Sequence, residues 1–211
     1  GSLLITIILV ALASLVIGMG LPVTASYIVL ATLSAPAIRD LIVQSQLVDA
    51  LASGQIPEEA KAIFMLIAPD KVAALGQPMP ASEAAALLSA VPLEFVQTLR
   101  EQILSPGILT AALLSAHMVI YWLSQDSNIT PPVCLTAFAA AAIAETPPMA
   151  TGVTAWKIAK GLYIVPLLIA FTPFLGGDFL TMLWIFAFGT LGVYAFAGIL
   201  DGSLETSLAL V

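Results

Sequence analysis

Four apolar runs stand out along this chain, and each of them is short. Residues 3–17 form the first, which stops at Gly18, Met19, Gly20, Leu21, Pro22, Val23 and Thr24 before a second run over 25–38. Residues 108–123 form the third, which stops at Ser124, Gln125, Asp126, Ser127, Asn128, Ile129, Thr130, Pro131 and Pro132 before a fourth over 133–144. At 1.5 Å rise per residue, runs of roughly 12 to 16 residues fall short of the ~20 that a bilayer crossing needs. Two such runs either side of a Gly/Pro or polar/Pro break predict discontinuous helices or a re-entrant hairpin. Further on, residues 162–175 are apolar, with Pro166 and Pro173 placed to kink them. Gly176, Gly177 and Asp178 predict a turn, and 179–200 reads as the one full-length span.

The polar positions are as uneven as the apolar ones. Of 13 acidic and 6 basic side chains, twelve lie between Arg39 and Glu101. The chain therefore reads as apolar, polar, apolar, with an extramembrane insert in the middle. Pro57, Glu58 and Glu59 put proline and acids where a first helical turn favours them, as do Ser82 with Glu83 and Pro92 with Glu94. Ile63, Leu66 and Ile67, and then Phe95, Leu99 and Ile103, recur at helical spacing. Two readings of this insert stand: a helical cap packed on the membrane region, or a docking surface for a partner. Between 144 and 162, Trp156, Lys157 and Lys160 suggest an interfacial helix on the cytoplasmic side by the positive-inside rule.

Composition narrows the class. Hydrophobic residues make up 60% of the chain and charged residues 9%, against about a quarter charged in globular proteins. So few charges cannot cover a soluble protein of 211 residues. The expected fold class is all-α integral membrane, with discontinuous helices, a re-entrant hairpin and a helical extramembrane insert. The net charge of −7 and the lack of a basic tract argue against nucleic acid as a partner. One cysteine, Cys134, and one histidine, His117, leave no intrachain disulfide and no multi-ligand Cys or His metal centre. No nucleophile–base pair is spaced for catalysis, so the chain reads as no enzyme, and no cofactor is implied.

The two breaks carry the candidate chemistry. Unwound backbone at membrane depth is tolerated only where protein or a water-filled site surrounds it. In transporters, half-helix termini and free carbonyls hold ions and anionic groups at such places. In the first break, Gly18 and Gly20 let the backbone turn and approach closely, Pro22 starts a new helix, and Thr24 adds a hydroxyl. In the second, Ser127, Asn128 and Thr130 offer oxygens and an amide, and Pro131 and Pro132 open the next half-helix. Such neutral oxygens suit Na⁺, with Gly18, Gly20, Asn128 and Thr130 as candidate ligands. Asp126 is the one acid near the centre of a broken segment; it is either a functional carboxylate or a solvated cap. His117 and Cys134 read as packed residues. The competing reading makes both breaks ordinary loops, since Ser, Asn, Asp and Pro are common turn residues.

Two stretches, GMGLPVTASYIVLATLSAPAI and SQDSNITPPVCLTAFAAAAIAETPPMATGVTAWKIAKGLYIVPLLIAF, resemble the C-terminal part of the large membrane subunit of TRAP transporters. The likeness is greatest to the fused permeases that work with TAXI-type binding proteins. It covers about 15–38 and 111–173, and extends to the final span. It implies an elevator-type importer, driven by Na⁺ as coupling ion, that takes organic acids such as carboxylates from a periplasmic TAXI-type binding protein. It further implies a bacterial or archaeal cytoplasmic membrane, and the remainder of the permease as a partner. Gly18, Gly20, Pro22 and Thr24 would match one site-forming break, and Ser127, Asn128, Thr130, Pro131 and Pro132 the other. The connector between the motifs is longer than the family usually has, and the chain is several times shorter than such permeases, so alone it should not transport.

The resulting map places a membrane hairpin or broken helix at 1–38 and a polar helical insert, periplasmic, at 39–107. A broken transmembrane helix follows at 108–144 and a cytoplasmic interfacial segment at 145–161. Two transmembrane helices at 162–200 and a tail at 201–211 complete it, leaving Asp178 periplasmic and Asp201 cytoplasmic. Two rivals stand beside this reading: an elevator-type secondary transporter that needs no binding protein, and a non-transporting membrane scaffold subunit.

Overall fold

The structure is a computed structural model that describes residues 2–67, 69, 72, 75–132, 134–159 and 161–201, the last two by their backbone alone. Asp70, Lys71, Val133, Lys160, the Asp201 side chain and the tail from 202 lie outside the described residues. Every described regular element is a helix: α1 (Leu3–Gly18), α2 (Val23–Ala52), α3 (Glu58–Ile67), α4 (Ala81–Ser89), α5 (Leu93–Ile103), α6 (Pro106–Ser124), α7 (Asp126–Ile129), α8 (Leu135–Ile143), α9 (Pro148–Ile158), α10 (Gly161–Phe171) and α11 (Phe179–Asp201). Among the described residues, four stretches are long and apolar enough to cross a membrane: Val23–Ala52, Pro106–Ile129, Pro148–Phe171 and Phe179–Ile199.

Three of these four differ from the expected short runs, for physical reasons. The second run does not stop at Ile38. Ala35, Ile38, Ile42, Leu47 and Leu51 are all buried, so an apolar face at three-to-five spacing continues past the charges of Arg39 and Asp40 and carries the helix to Ala52. Pro36 sits inside α2 without ending it. The third run joins the single turn of α7 to make a 24-residue stretch. The segment at 145–161, expected to be interfacial, holds α9, and α9 and α10 together have the length and hydropathy of another 24-residue crossing. Pro166 lies within α10, and Pro173 falls beyond its end.

The chain divides into two compact units, Gly1–Ile38 with Leu113–Val211, and Arg39–Ala112. In the first, α1 packs on α7 and α10, α7 packs on α8 and α9, and α8 packs on α9. The outermost helix, α11, touches α10 and otherwise exposes Phe179, Trp184, Phe186, Phe188 and Leu191. Such a helix, apolar on all sides and almost unburied, requires an apolar solvent.

In the second unit, α3 packs on α5. The buried face of α3 is Ala60, Ile63 and Phe64, while Leu66, expected on that face, is 77% exposed. Leu99 is the buried anchor of α5, and Leu87 and Leu88 are those of α4. Each fully buried side chain of this size contributes about 1.5–3 kcal/mol. Asp40 accepts from the Arg100 guanidinium at 3.0 Å, tying the start of this unit to α5.

Candidate functional site

Small residues on one face of α1 bring the two breaks together. Ile7, Val10, Ser14 and Gly18 are its buried positions, at spacings of three and four that make a single stripe. The Ser14 hydroxyl donates to the Leu123 carbonyl at 2.8 Å, just ahead of the second break. One turn later, Gly18 meets Ser127 backbone to backbone. A Cβ at Gly18 would lie 3.1 Å from the Ser127 nitrogen and 3.2 Å from its Cα. Small residues at membrane helix contacts allow this approach, and a polar hydroxyl between them adds a directed bond.

The end of α1 is a tight turn. The Gly20 and Leu21 amides both donate to the Ile17 carbonyl at 3.1 Å. The chain leaves through Gly20, Leu21 and Pro22, all exposed, and α2 begins at Val23. The close approach expected of both glycines belongs to Gly18. At Gly20 a Cβ would meet no atom within 4 Å, and the one positive-φ glycine among the described residues is Gly54.

The second break is an internal polar turn. The Thr130 amide donates to the Asp126 carbonyl at 2.8 Å, closing α7, and the Cys134 amide donates to the Thr130 carbonyl at 3.3 Å, leading into α8. Several side chains here already serve the backbone. The Ser124 hydroxyl donates to the Tyr121 carbonyl and the Ser127 hydroxyl to the Ser124 carbonyl, at 2.7 and 3.1 Å. The Asn128 amide donates to the Gln125 side-chain oxygen at 3.3 Å. Hydroxyls used this way keep their lone pairs available to a cation. Behind the break, Gly152 of α9 leaves room for the Cys134 thiol and the Pro131 ring; a Cβ there would sit 2.5 Å from Sγ.

Asp126 is the most consequential residue of the site. Its side chain is fully buried. Oδ1 accepts from the Tyr163 hydroxyl at 2.8 Å and, more weakly, from the Thr130 hydroxyl at 3.4 Å. Oδ2 is buried and has no hydrogen-bond partner among the described residues. An unpaired buried carboxylate oxygen is costly, so such a group demands a reason. Tyr163 also accepts from the Trp156 indole at 3.0 Å.

The structure thus gathers Gly18, Asp126, Ser127, Thr130 and Pro131, with half-buried Asn128 beside them. It leaves Gly20, Pro22 and Pro132 exposed. Thr24 is also exposed and lines a separate cavity of about 390 Å³ with Val23, Tyr27, Leu114, His117, Met118 and Tyr121. There Tyr27 and His117 Nδ1 share a hydrogen bond of 3.0 Å, so His117 is a partnered residue. Ser14, Trp156 and Tyr163 are the polar neighbours that reading the breaks alone misses. The spacing of four between Ser14 and Gly18, and of seven between Trp156 and Tyr163, was the available signal. Among the described residues no group of three or more His, Cys, Asp or Glu side chains converges.

A family model described as "Tripartite ATP-independent periplasmic transporter, DctM component" matches residues 1–188. No curated protein and no solved structure matches the chain.

Proposed function

Because the chain belongs to the DctM-component family of tripartite ATP-independent periplasmic transporters, we propose that its two interrupted stretches form one half of the substrate and Na⁺ site of an organic-acid importer. The family makes the chain a multi-pass membrane transporter component that works with a small component and a substrate-binding protein. The finer reading is ours: a TAXI-type binding protein, carboxylate cargo, Na⁺ as coupling ion, an elevator-type architecture, and residence in the cytoplasmic membrane.

One observation carries this reading. Gly18 and Ser127 are in contact, and beside them lies Asp126 with an unpartnered, buried Oδ2. Lone pairs of Ser127 and Thr130, the carbonyls around Pro131, and this oxygen are hard donors suited to an alkali cation. The amides opening α8, which follows the two prolines, carry the partial positive charge that favours a carboxylate. A cation beside Asp126 would offset the cost of its burial, and an anionic substrate would gain from that cation. Cation and substrate binding would then reinforce each other, which is what coupling requires.

The test is reconstitution of the complete transporter in liposomes with its binding protein. Carboxylate uptake is expected to need both an inward Na⁺ gradient and the loaded binding protein. Uptake indifferent to the gradient overturns the coupling reading, and full uptake without the binding protein overturns the tripartite one.

A further inference from the structure

Asp126 does not hold its geometry unaided. Its carboxylate lies on the single turn of α7, and the hydroxyl that grips Oδ1 comes from α10. The direction of each bond in this contact is set by chemistry. The indole nitrogen of Trp156 is a donor only, so the Tyr163 oxygen must accept from it. The single phenolic proton is then left to point at Asp126, 2.8 Å away. Donation into the phenol oxygen polarises its O–H and strengthens the second bond. Trp156 and Tyr163 also line an apolar groove with Ile8, Leu12, Leu15 and Leu167; the Tyr163–Asp126 bond is half-buried there, and the Trp156–Tyr163 bond lies at its exposed edge.

We propose that Tyr163, oriented by Trp156, is a positioning residue that saturates Oδ1 of Asp126 and thereby reserves Oδ2 for the coupling cation. This rests on the Na⁺ site proposed above. With the phenol in place, the carboxylate cannot rotate to offer both oxygens or to pair Oδ2 with Thr130. The cation then meets one preorganised oxygen, and no reorientation has to precede its binding. Trp156 touches neither cation nor carboxylate and acts through Tyr163 alone.

The experiment is Na⁺-dependent uptake by the complete reconstituted transporter carrying Y163F, W156F, both together, or D126N. Y163F is expected to raise the half-saturating Na⁺ concentration about tenfold, in line with one charge-assisted hydrogen bond, with a smaller change in uptake at saturating Na⁺. W156F should shift it in the same direction by about threefold. The double variant should match Y163F, because Trp156 has no other route to the carboxylate. D126N should abolish the Na⁺ dependence. If D126N does so while Y163F and W156F keep the wild-type half-saturation, or if the two shifts multiply, the positioning role is overturned and the site stands. If D126N keeps wild-type Na⁺ dependence, the site reading fails and takes the positioning role with it. Should Y163F not assemble, the W156F half-saturation decides alone.

Discussion

The two breaks look alike as sequence, and they fold into different things. Each is a polar or glycine-rich stretch with proline, set between apolar runs. The first is a surface turn: Gly20, Leu21, Pro22 and Thr24 are exposed, and Gly18 alone faces inward. The second is an internal cluster with Asp126, Ser127 and Thr130 all buried. The difference teaches that a helix break becomes a buried polar cluster through what packs against it. The stripe of Ser14 and Gly18 seals one side of the second break, and Tyr163 reaches it from α10. Nothing comparable covers Gly20.

The comparison breaks most sharply at Asp126. D126A is expected to lower Na⁺-driven uptake on the order of 100-fold, the equivalent of about 3 kcal/mol for a buried charged contact. T24V in the first break is expected to stay within about threefold. Equal losses from the two would mean that the surface turn contributes as much as the buried cluster.

Gly18 and Gly20 sharpen the contrast by packing alone. G18V must displace the Ser127 backbone and should cost about 1–3 kcal/mol of stability, read as a lowered thermal midpoint of the purified transporter. G20A points into open space and should stay within about 0.5 kcal/mol. A G18V midpoint equal to wild type would separate the two breaks.

T130V comes next. It removes the weaker donor to Oδ1 and should cost about 1 kcal/mol, seen as a few-fold loss of uptake with membrane insertion intact. Unchanged uptake would take this hydroxyl out of the site.

The smallest effect is expected outside both breaks. At Asp178, the residue preceding α11, the Thr181 hydroxyl holds the carboxyl below its ordinary range, helped by backbone amides of the first turn. A group whose folded pKa is depressed stabilises fully above its unfolded value of about 3.9 and loses that contribution as pH falls through the folded value. The protection of the amides near Phe179, taken relative to their intrinsic exchange rates at each pH, should therefore fall in acid, and D178A should show that reduced protection already at neutral pH. Protection in D178A that still falls across the same acid range would put the titration elsewhere.

How far the sequence could be read depends on where each signal lives. The apolar content and the 179–200 run announced a helical membrane chain, because composition and run length are local properties. The apolar run ends at Ile38, where the two units also divide, yet α2 continues because Ile42, Leu47 and Leu51 extend its buried face past Arg39 and Asp40. The single turn of α7 was likewise hidden, since proline and polar residues mark a boundary without saying how sharply the chain bends there. Within the breaks, residue types disclosed which groups could serve as donors. They did not disclose that the Ser127 hydroxyl is engaged by the Ser124 carbonyl or that, among the described residues, a Cβ at Gly20 would meet open space.

By itself, the amino-acid sequence determined that lipid solvates most of this chain, that it is helical, that most of its charge lies in one insert, and that two interruptions carry polar groups within the apolar regions. Hydration cost and hydrogen-bond need act on every residue wherever it ends up. Tertiary structure alone decided that Gly18 lies against Ser127, that Tyr163 takes one oxygen of Asp126, and that the other is left over. Those outcomes depend on which surfaces meet across 37 residues of chain for Tyr163 and Asp126, and across more than a hundred for Gly18 and Ser127, and no local pattern encodes them.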